Sequence, residues 1–215
     1  MSVFLEENAM AWTTIDTAQY ARLLEGLPPA LAAVADGLQM PPAEAARAIA
    51  HHDGDATTAP PQGHRYVIVD GDLTLFGRLN LFGQMAESED GNTVLIVTGN
   101  LHCTDLIQTP GGVILVGGDL VVSRVFETSF GDSLCTVCGD VRVRFYHGLD
   151  VWIEFGGRCE IDTGWGYGLP IGYTDAAAQA VYPRHRNGAL YDQFDIPPGE
   201  TWERADAFVT MMLEN

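Results

Sequence analysis

Between Tyr66 and Asp162 the chain repeats one pattern five times: an apolar run, a glycine with a polar residue beside it, then a second run alternating apolar and polar. The copies read Tyr66-Val-Ile-Val-Asp-Gly-Asp-Leu-Thr-Leu, Val94-Leu-Ile-Val-Thr-Gly-Asn-Leu-His-Cys, Val113-Ile-Leu-Val-Gly-Gly-Asp-Leu-Val-Val, Leu134-Cys-Thr-Val-Cys-Gly-Asp-Val-Arg-Val and Trp152-Ile-Glu-Phe-Gly-Gly-Arg-Cys-Glu-Ile. Their glycines stand at 71, 99, 118, 139 and 157. Self-similarity at this spacing is the mark of a solenoid. At about 4.8 Å per coil, five coils make a stub of roughly 24 Å.

After each glycine, Leu73/Leu75, Leu101/Cys103, Leu120/Val122, Val141/Val143 and Cys159/Ile161 alternate with more polar neighbours such as Thr74, His102, Arg142 and Glu160. Such a strand turns one face inward and one to solvent. Before each glycine both faces are apolar, Tyr66/Ile68 backing Val67/Val69 and Val94/Ile96 backing Leu95/Val97. A doubly apolar run belongs to a parallel sheet covered on both sides. Flanking helices or a second subunit must supply the cover. On this reading Tyr66 and Trp152 lie under a helix.

The pattern predicts three regions. Residues 1–63 form a helical amino-terminal region and linker, 64–173 the solenoid, and 174–215 a helical carboxy-terminal region. Thr13-Thr14-Ile15-Asp16 offers a cap for a helix ending at Gly26, Pro28-Pro29 opens a second, and Pro41-Pro42-Ala43-Glu44 opens an alanine-rich helix toward His51-His52, where the imidazoles would meet the helix dipole. Thr201-Trp-Glu-Arg starts a last helix. The expected fold is mainly β with flanking α: a short right-handed parallel β-solenoid with both sets of helices packed on one sheet.

Charge narrows the partners. The chain of 215 residues has 29 acidic residues against 11 basic ones, all arginine, for a net charge of −18. That argues against nucleic acid and anionic membranes, and it permits a basic protein partner. Met1-Ser-Val-Phe-Leu-Glu-Glu carries no apolar stretch long enough for a secretory signal, and no run reaches membrane-span length, so a cytoplasmic protein is expected.

The units Val-Asp-Gly-Asp-Leu-Thr-Leu, Val-Thr-Gly-Asn-Leu and Val-Gly-Gly-Asp-Leu-Val-Val resemble those of the bactofilin-like, polymer-forming cytoskeletal β-helix proteins of bacteria. Phe145-Tyr-His-Gly-Leu is similar to the aromatic-His-Gly turn late in such repeats. The resemblance covers about half the chain and implies a solenoid scaffold that self-associates. The long helical flanks depart from the family pattern.

Few residues propose chemistry. Cys135-Thr-Val-Cys138 has the spacing of a redox or zinc motif, but residues three apart on a strand point to opposite faces. Cys103, Cys135 and Cys159 read as small buried hydrophobes. Asp72, Asn100, Asp119 and Asp140 should stack along one corner, where Asx side chains bond their own turns; a carboxylate row is also a donor set for calcium. Arg142 should lie beside Glu160 and Arg144 beside Asp162 as cross-strand pairs, while Glu154, Glu160 and Asp162 near Trp152 and Trp165 could instead serve as an acid pair on a sugar. The aromatic, glycine-rich stretch 162–173 suits either recognition or closure of the last coil. Tyr146, His147, Trp152, Trp165, Tyr167 and Tyr173 are the candidate contact surface. No cofactor, metal site or catalytic set is expected. The leading function is a non-enzymatic scaffold or protein-binding module, acting on a protein partner or by self-association, for instance as a homodimer. A carbohydrate-active enzyme and an immunity-type antagonist of a basic toxin are the alternatives.

Overall fold

The computed structural model describes residues 11–37, 49–81, 93–108, 111–128, 133–148, 151–166, 168–172 and 201–214. In chain order the elements are β1 (Thr13–Ile15), α1 (Thr17–Glu25), α2 (Pro29–Gly37), β2 (Ile49–Asp53), β3 (Tyr66–Asp70), β4 (Leu73–Thr74), β5 (Arg78–Asn80), β6 (Val94–Val97), β7 (Leu101–Ile107), β8 (Val113–Val116), β9 (Leu120–Glu127), β10 (Ser133–Val137), β11 (Val141–His147), β12 (Val151–Phe155), β13 (Cys159–Trp165), β14 (Leu169–Pro170) and α3 (Thr201–Glu214). Among the described residues no helix is long and apolar enough to cross a membrane.

The strands stack as a parallel β-solenoid of about five turns. The runs before the glycines form an eight-stranded sheet in the order β1-β2-β3-β6-β8-β10-β12-β14, and those after them form a six-stranded sheet in the order β13-β11-β9-β7-β4 with β5 also on β7. Register keeps like residues in columns. Val67, Leu95, Ile114, Cys135 and Ile153 are successive partners in the first sheet. Leu73, Leu101, Leu120, Val141 and Cys159 are successive partners in the second. Together these columns fill the space between the sheets. Each buried aliphatic side chain contributes about 1.5–3 kcal/mol.

A second apolar cluster lies outside the eight-stranded sheet. Tyr20, Leu27, Leu31 and Ala35 of the amino-terminal helical region close over Ile49, Tyr66, Ile68, Val94, Ile96, Val113 and Leu115. Tyr20 meets Tyr66 edge-on with ring centroids 5.6 Å apart. A capping box starts α1: the Asp16 carboxylate accepts from the Gln19 amide at 2.7 Å, and the Gln19 side chain accepts from the Asp16 amide at 3.1 Å. Cover thins toward the last coils, where Leu134 is half-buried and Trp152 is 38% exposed. Tyr66 therefore lies under helix as expected, whereas Trp152 reaches solvent.

The amino-terminal region holds more strand than its composition suggests. Ile49–Asp53 is a strand, not the end of an alanine-rich helix, and it pairs in parallel with β3 from Ile49↔Tyr66 to Asp53↔Asp70. Ile49 joins the outer cluster and Ala50 the inner core, so the sheet edge has a use for both faces and overrides local helix propensity. His51 and His52 thus meet no helix end; His52 lies 3.1 Å from the Gly54 carbonyl and edge-on to Trp12. The proposed helix start at Pro41-Pro42 lies outside the described residues. Parallel pairing consequently begins near residue 49 rather than 64, and Ala56, in the segment read as linker, bridges Leu73.

The carboxy-terminal helix packs away from the eight-stranded sheet. α3 lies against β13, β11 and β9. Phe208, 3% exposed, stacks on Phe145 with ring centroids 4.4 Å apart.

Candidate functional site

One corner and one face of the solenoid carry most of its organised polar chemistry. At the corner, each Asx side chain reaches across to the next coil. The Oδ1 atoms of Asp55, Asp72, Asn100, Asp119 and Asp140 accept from the amides of Asp72, Asn100, Asp119, Asp140 and Arg158 at 2.9, 2.7, 2.8, 2.8 and 2.7 Å. The expected stack exists, but its bonds are between coils and not within each turn. This explains the glycine. A Cβ on Gly99, Gly118, Gly139 or Gly157 would sit 2.1–2.3 Å from the Oδ1 below it. Gly-Asx is therefore one device: the Asx ties two coils, and the glycine leaves room for the oxygen.

The exposed part of the outer face of the six-stranded sheet, beside the strip that α3 covers, starts from a bulge. Cys103 and Val143 both pair with Val122, yet Asp105 and Phe145 both pair with Val125, so β9 carries one residue more than its neighbours. Ser123 and Arg124 share the space of one residue, which aims the guanidinium sideways at Asp105. Arg124 donates from Nε to Asp105 Oδ1 at 2.7 Å, and Arg78 donates to Oδ2 at 3.3 Å. The Asp105 side chain is only 2% exposed, whereas both arginine side chains are 33% exposed. Burial opposes its charge, but the hydrogen bonds and charges of Arg124 and Arg78 outweigh burial and hold its carboxyl below the usual range.

Further along this face Arg142 and Arg158 flank Glu160 at 3.6 and 3.8 Å. The Arg142 side chain is 65% exposed, so the pair contributes at most about 1 kcal/mol. Among the described residues no ion pair joins Arg144 to Asp162. Phe76, 96% exposed, lies on the first coil after β4.

The residues expected to form a contact surface do not share one. Tyr146 and His147 are buried, at 0% and 3% exposure, and so are not part of any open surface. Tyr146 packs on Phe126, and Gly166 lies so close that a Cβ there would be 2.4 Å from the Tyr146 ring. His147 Nδ1 lies 2.9 Å from Glu127 Oε2, both side chains nearly enclosed. Tyr146 points into the core between the sheets, while Phe145 on the opposite side of the strand is covered by Phe208 of α3. Trp152 is exposed and Trp165 half-buried. Tyr167 and Tyr173 lie outside the described residues.

The remaining candidates separate as the strand geometry demands. Cys135 belongs to the inner core and Cys138 packs against the outer cluster, so the two thiols lie on opposite sides of one sheet. Burial pushes the Cys103 and Cys159 thiols up to about 12, which leaves them protonated and poorly nucleophilic at neutral pH. Glu154 is on β12 and Glu160 and Asp162 on β13, in different sheets. Glu154 therefore does not join them as a third carboxylate, and Glu160 already has two arginine neighbours. Among the described residues no three His, Cys, Asp or Glu side chains are grouped to hold a metal ion.

The arginine bulge, the Asp105 anchor and the Glu127–His147 pair were not legible as units, since each joins residues about 20 positions apart. The coil period was the available signal: Ile107, Glu127 and His147 are partners in successive coils, as are Asp105, Val125 and Phe145. Comparison with known proteins finds no family model that matches the chain, no matching curated protein and no matching solved structure.

Proposed function

We propose that this chain is a non-enzymatic binding module built on a short β-solenoid, acting through its surface by self-association or on a protein partner. The observation that carries the reading is how the carboxylates are used. Those of the corner spend one oxygen each on an inter-coil amide, Asp105 and Glu160 are held by arginines, and the carboxylates proposed as a sugar-cleaving set divide between two sheets. A glycoside hydrolase of the usual kind needs two converging carboxylates, one of them available as an acid.

The strand ends favour a discrete module over an open-ended fibre of the bactofilin-like kind. The first parallel strand, β2, is covered by the three-residue antiparallel β1. At the other end of that sheet β14 has two residues and finishes on Pro170, which has no amide proton to donate. Very short edge strands and edge prolines blunt strand-on-strand growth.

The test is an activity screen over neutral and acidic polysaccharides, reading new reducing ends and unsaturated uronate. No turnover is expected. Turnover that Glu160→Gln or Asp162→Asn removes would overturn the reading in favour of a carbohydrate-active enzyme.

A further inference from the structure

The inner columns of the solenoid end differently at its two ends. At the last coil they finish on Ile153, Phe155 and Cys159. Before the first glycine-marked coil they step down: Val67 gives way to Ala50, Val69 to His52 and Leu73 to Ala56. Trp12 packs against the core at this narrowed end. Its ring meets His52 edge-on at 5.3 Å, and its Nε1–H donates to Thr58 Oγ1 at 3.1 Å. A side chain from outside the repeat thus closes the end.

Trp12 directly precedes β1, whose pairing with β2 is antiparallel, from Thr13↔His51 to Ile15↔Ile49. Backbone groups along β2 alternate between its two neighbours. The Gly54 amide donates to the Asp70 carbonyl on the β3 side, whereas the His51 carbonyl accepts from Thr13 Oγ1 at 3.3 Å on the other. By that alternation Ile49, His51 and Asp53 present their amides and carbonyls at the outer edge. The edge therefore takes an antiparallel strand, and β1 reaches only as far as His51.

Resting on the binding-module reading, we propose that Trp12 and β1 plug a self-pairing site, the outer edge of β2, whose other occupant is β2 of a second copy. The edge matches itself. A two-fold axis through His51, perpendicular to the sheet, sets His51 against the partner's His51 and Ile49 against the partner's Asp53, all edge-facing residues. Ala50 then falls beside the partner's His52 on the inner side, and no two carboxylates are opposed. The two cores meet at the small side chains of Ala50 and Ala56, the end that Trp12 otherwise covers. A lone extended peptide would satisfy the edge and leave that end open. One axis uses both edges, so the product is a closed dimer. The capping box at Asp16 starts α1 directly after β1 and keeps the plug in place, so the intact chain stays monomeric.

Light scattering coupled to size exclusion, run on the full chain over a concentration series, tests this. Wild type should keep the monomer mass throughout. Trp12→Ala/Thr13→Pro uncovers the core end and removes a strand-pairing amide; its mass should rise to twice the monomer and stop there. Adding His51→Pro should return that variant to monomer, because this amide faces the outer edge and β3 does not use it. If the double variant does not fold, Thr13→Pro alone keeps Trp12 and carries the same test. A dimer of the intact chain, a folded variant that stays monomeric, mass growing past two copies, or a dimer indifferent to His51→Pro overturns the proposal. None of these results touches the non-enzymatic reading, which stands or falls on turnover.

Discussion

The two sheets of this solenoid come from the same repeat unit, divided at its glycine, and face different surroundings. The eight-stranded sheet is apolar on both sides and has α1 and α2 packed over its first coils. The six-stranded sheet is alternating over most of its width: His102, Ser123, Arg142, Arg144 and Asp162 on its outer side are exposed, and only beyond the bulge does α3 cover it, at Phe145. The covered sheet is therefore where stability is concentrated, and the open one is where the chain is free to present chemistry. A flat parallel sheet normally needs cover on both faces, and alternation is what releases the second sheet from that need.

The sharpest way to break the comparison is to put the same charge on both outer faces. Ile96→Asp places a carboxylate at a position of 0% exposure beneath the helices. An unpaired buried charge costs more than about 4 kcal/mol, enough to leave little soluble folded protein. Val121→Asp puts it on the open face, where the change should stay within about 0.5 kcal/mol. Soluble yield and urea midpoints read both. Equal loss from the two variants would mean that the open face is not open.

Next in size is the glycine of the shared corner. Gly139→Ala brings a Cβ to 2.2 Å from Asp119 Oδ1 and 2.7 Å from the Gly118 carbonyl, so backbone must move. About 3 kcal/mol is expected, the upper end for overpacking. Gly77→Ala meets nothing within 4 Å and should be silent. For a chain of this length each kcal/mol shifts the melting temperature by about 2–4 °C, so the pair is easily separated.

What the sequence made legible follows the same division. Strand pairing order, the inner columns and the doubly apolar sheet were all written in alternation and in the glycine interval. Strand β2 was hidden because Ala-Arg-Ala-Ile-Ala favours helix locally, and only the waiting sheet edge at β3 makes it extended. His147 was visible as a residue but not as a buried partner of Glu127, since the extra residue in β9 that shifts the register precedes it by a whole coil. Arg144 does fall opposite Asp162 as alternation counts it, since Val143↔Ile161 and Phe145↔Thr163 keep register, but among the described residues the two form no ion pair. Periodicity reports stacking well and bulges poorly.

Asp105 probes the open face from below. Replacing it with Asn leaves two guanidiniums around an amide; a broken buried pair costs about 3–5 kcal/mol, discounted here to about 2 because both arginines are a third exposed. The sign with pH follows from its lowered carboxyl. A folded value below the unfolded value of about 3.9 means the contribution is fully present above that pH and fades as pH falls through the folded value. Wild type should lose stability toward pH 3 more steeply than Asp105→Asn. Parallel acid limbs in urea titrations would mean that Arg78 and Arg124 do not hold the carboxylate.

The smallest effect separates the corner's bond from its charge. Asp119→Ala removes the acceptor for the Asp140 amide, a bond of 2.8 Å, and should cost about 1 kcal/mol. Asp119→Asn keeps an oxygen in that place, as Asn100 does one coil earlier, and should change the melt by less than about 0.5 kcal/mol. If stability lay in the charge, the two variants would fall together. If it lies in the bond, only alanine is costly, and every ladder carboxylate is then free to be judged by what it does outside the fold.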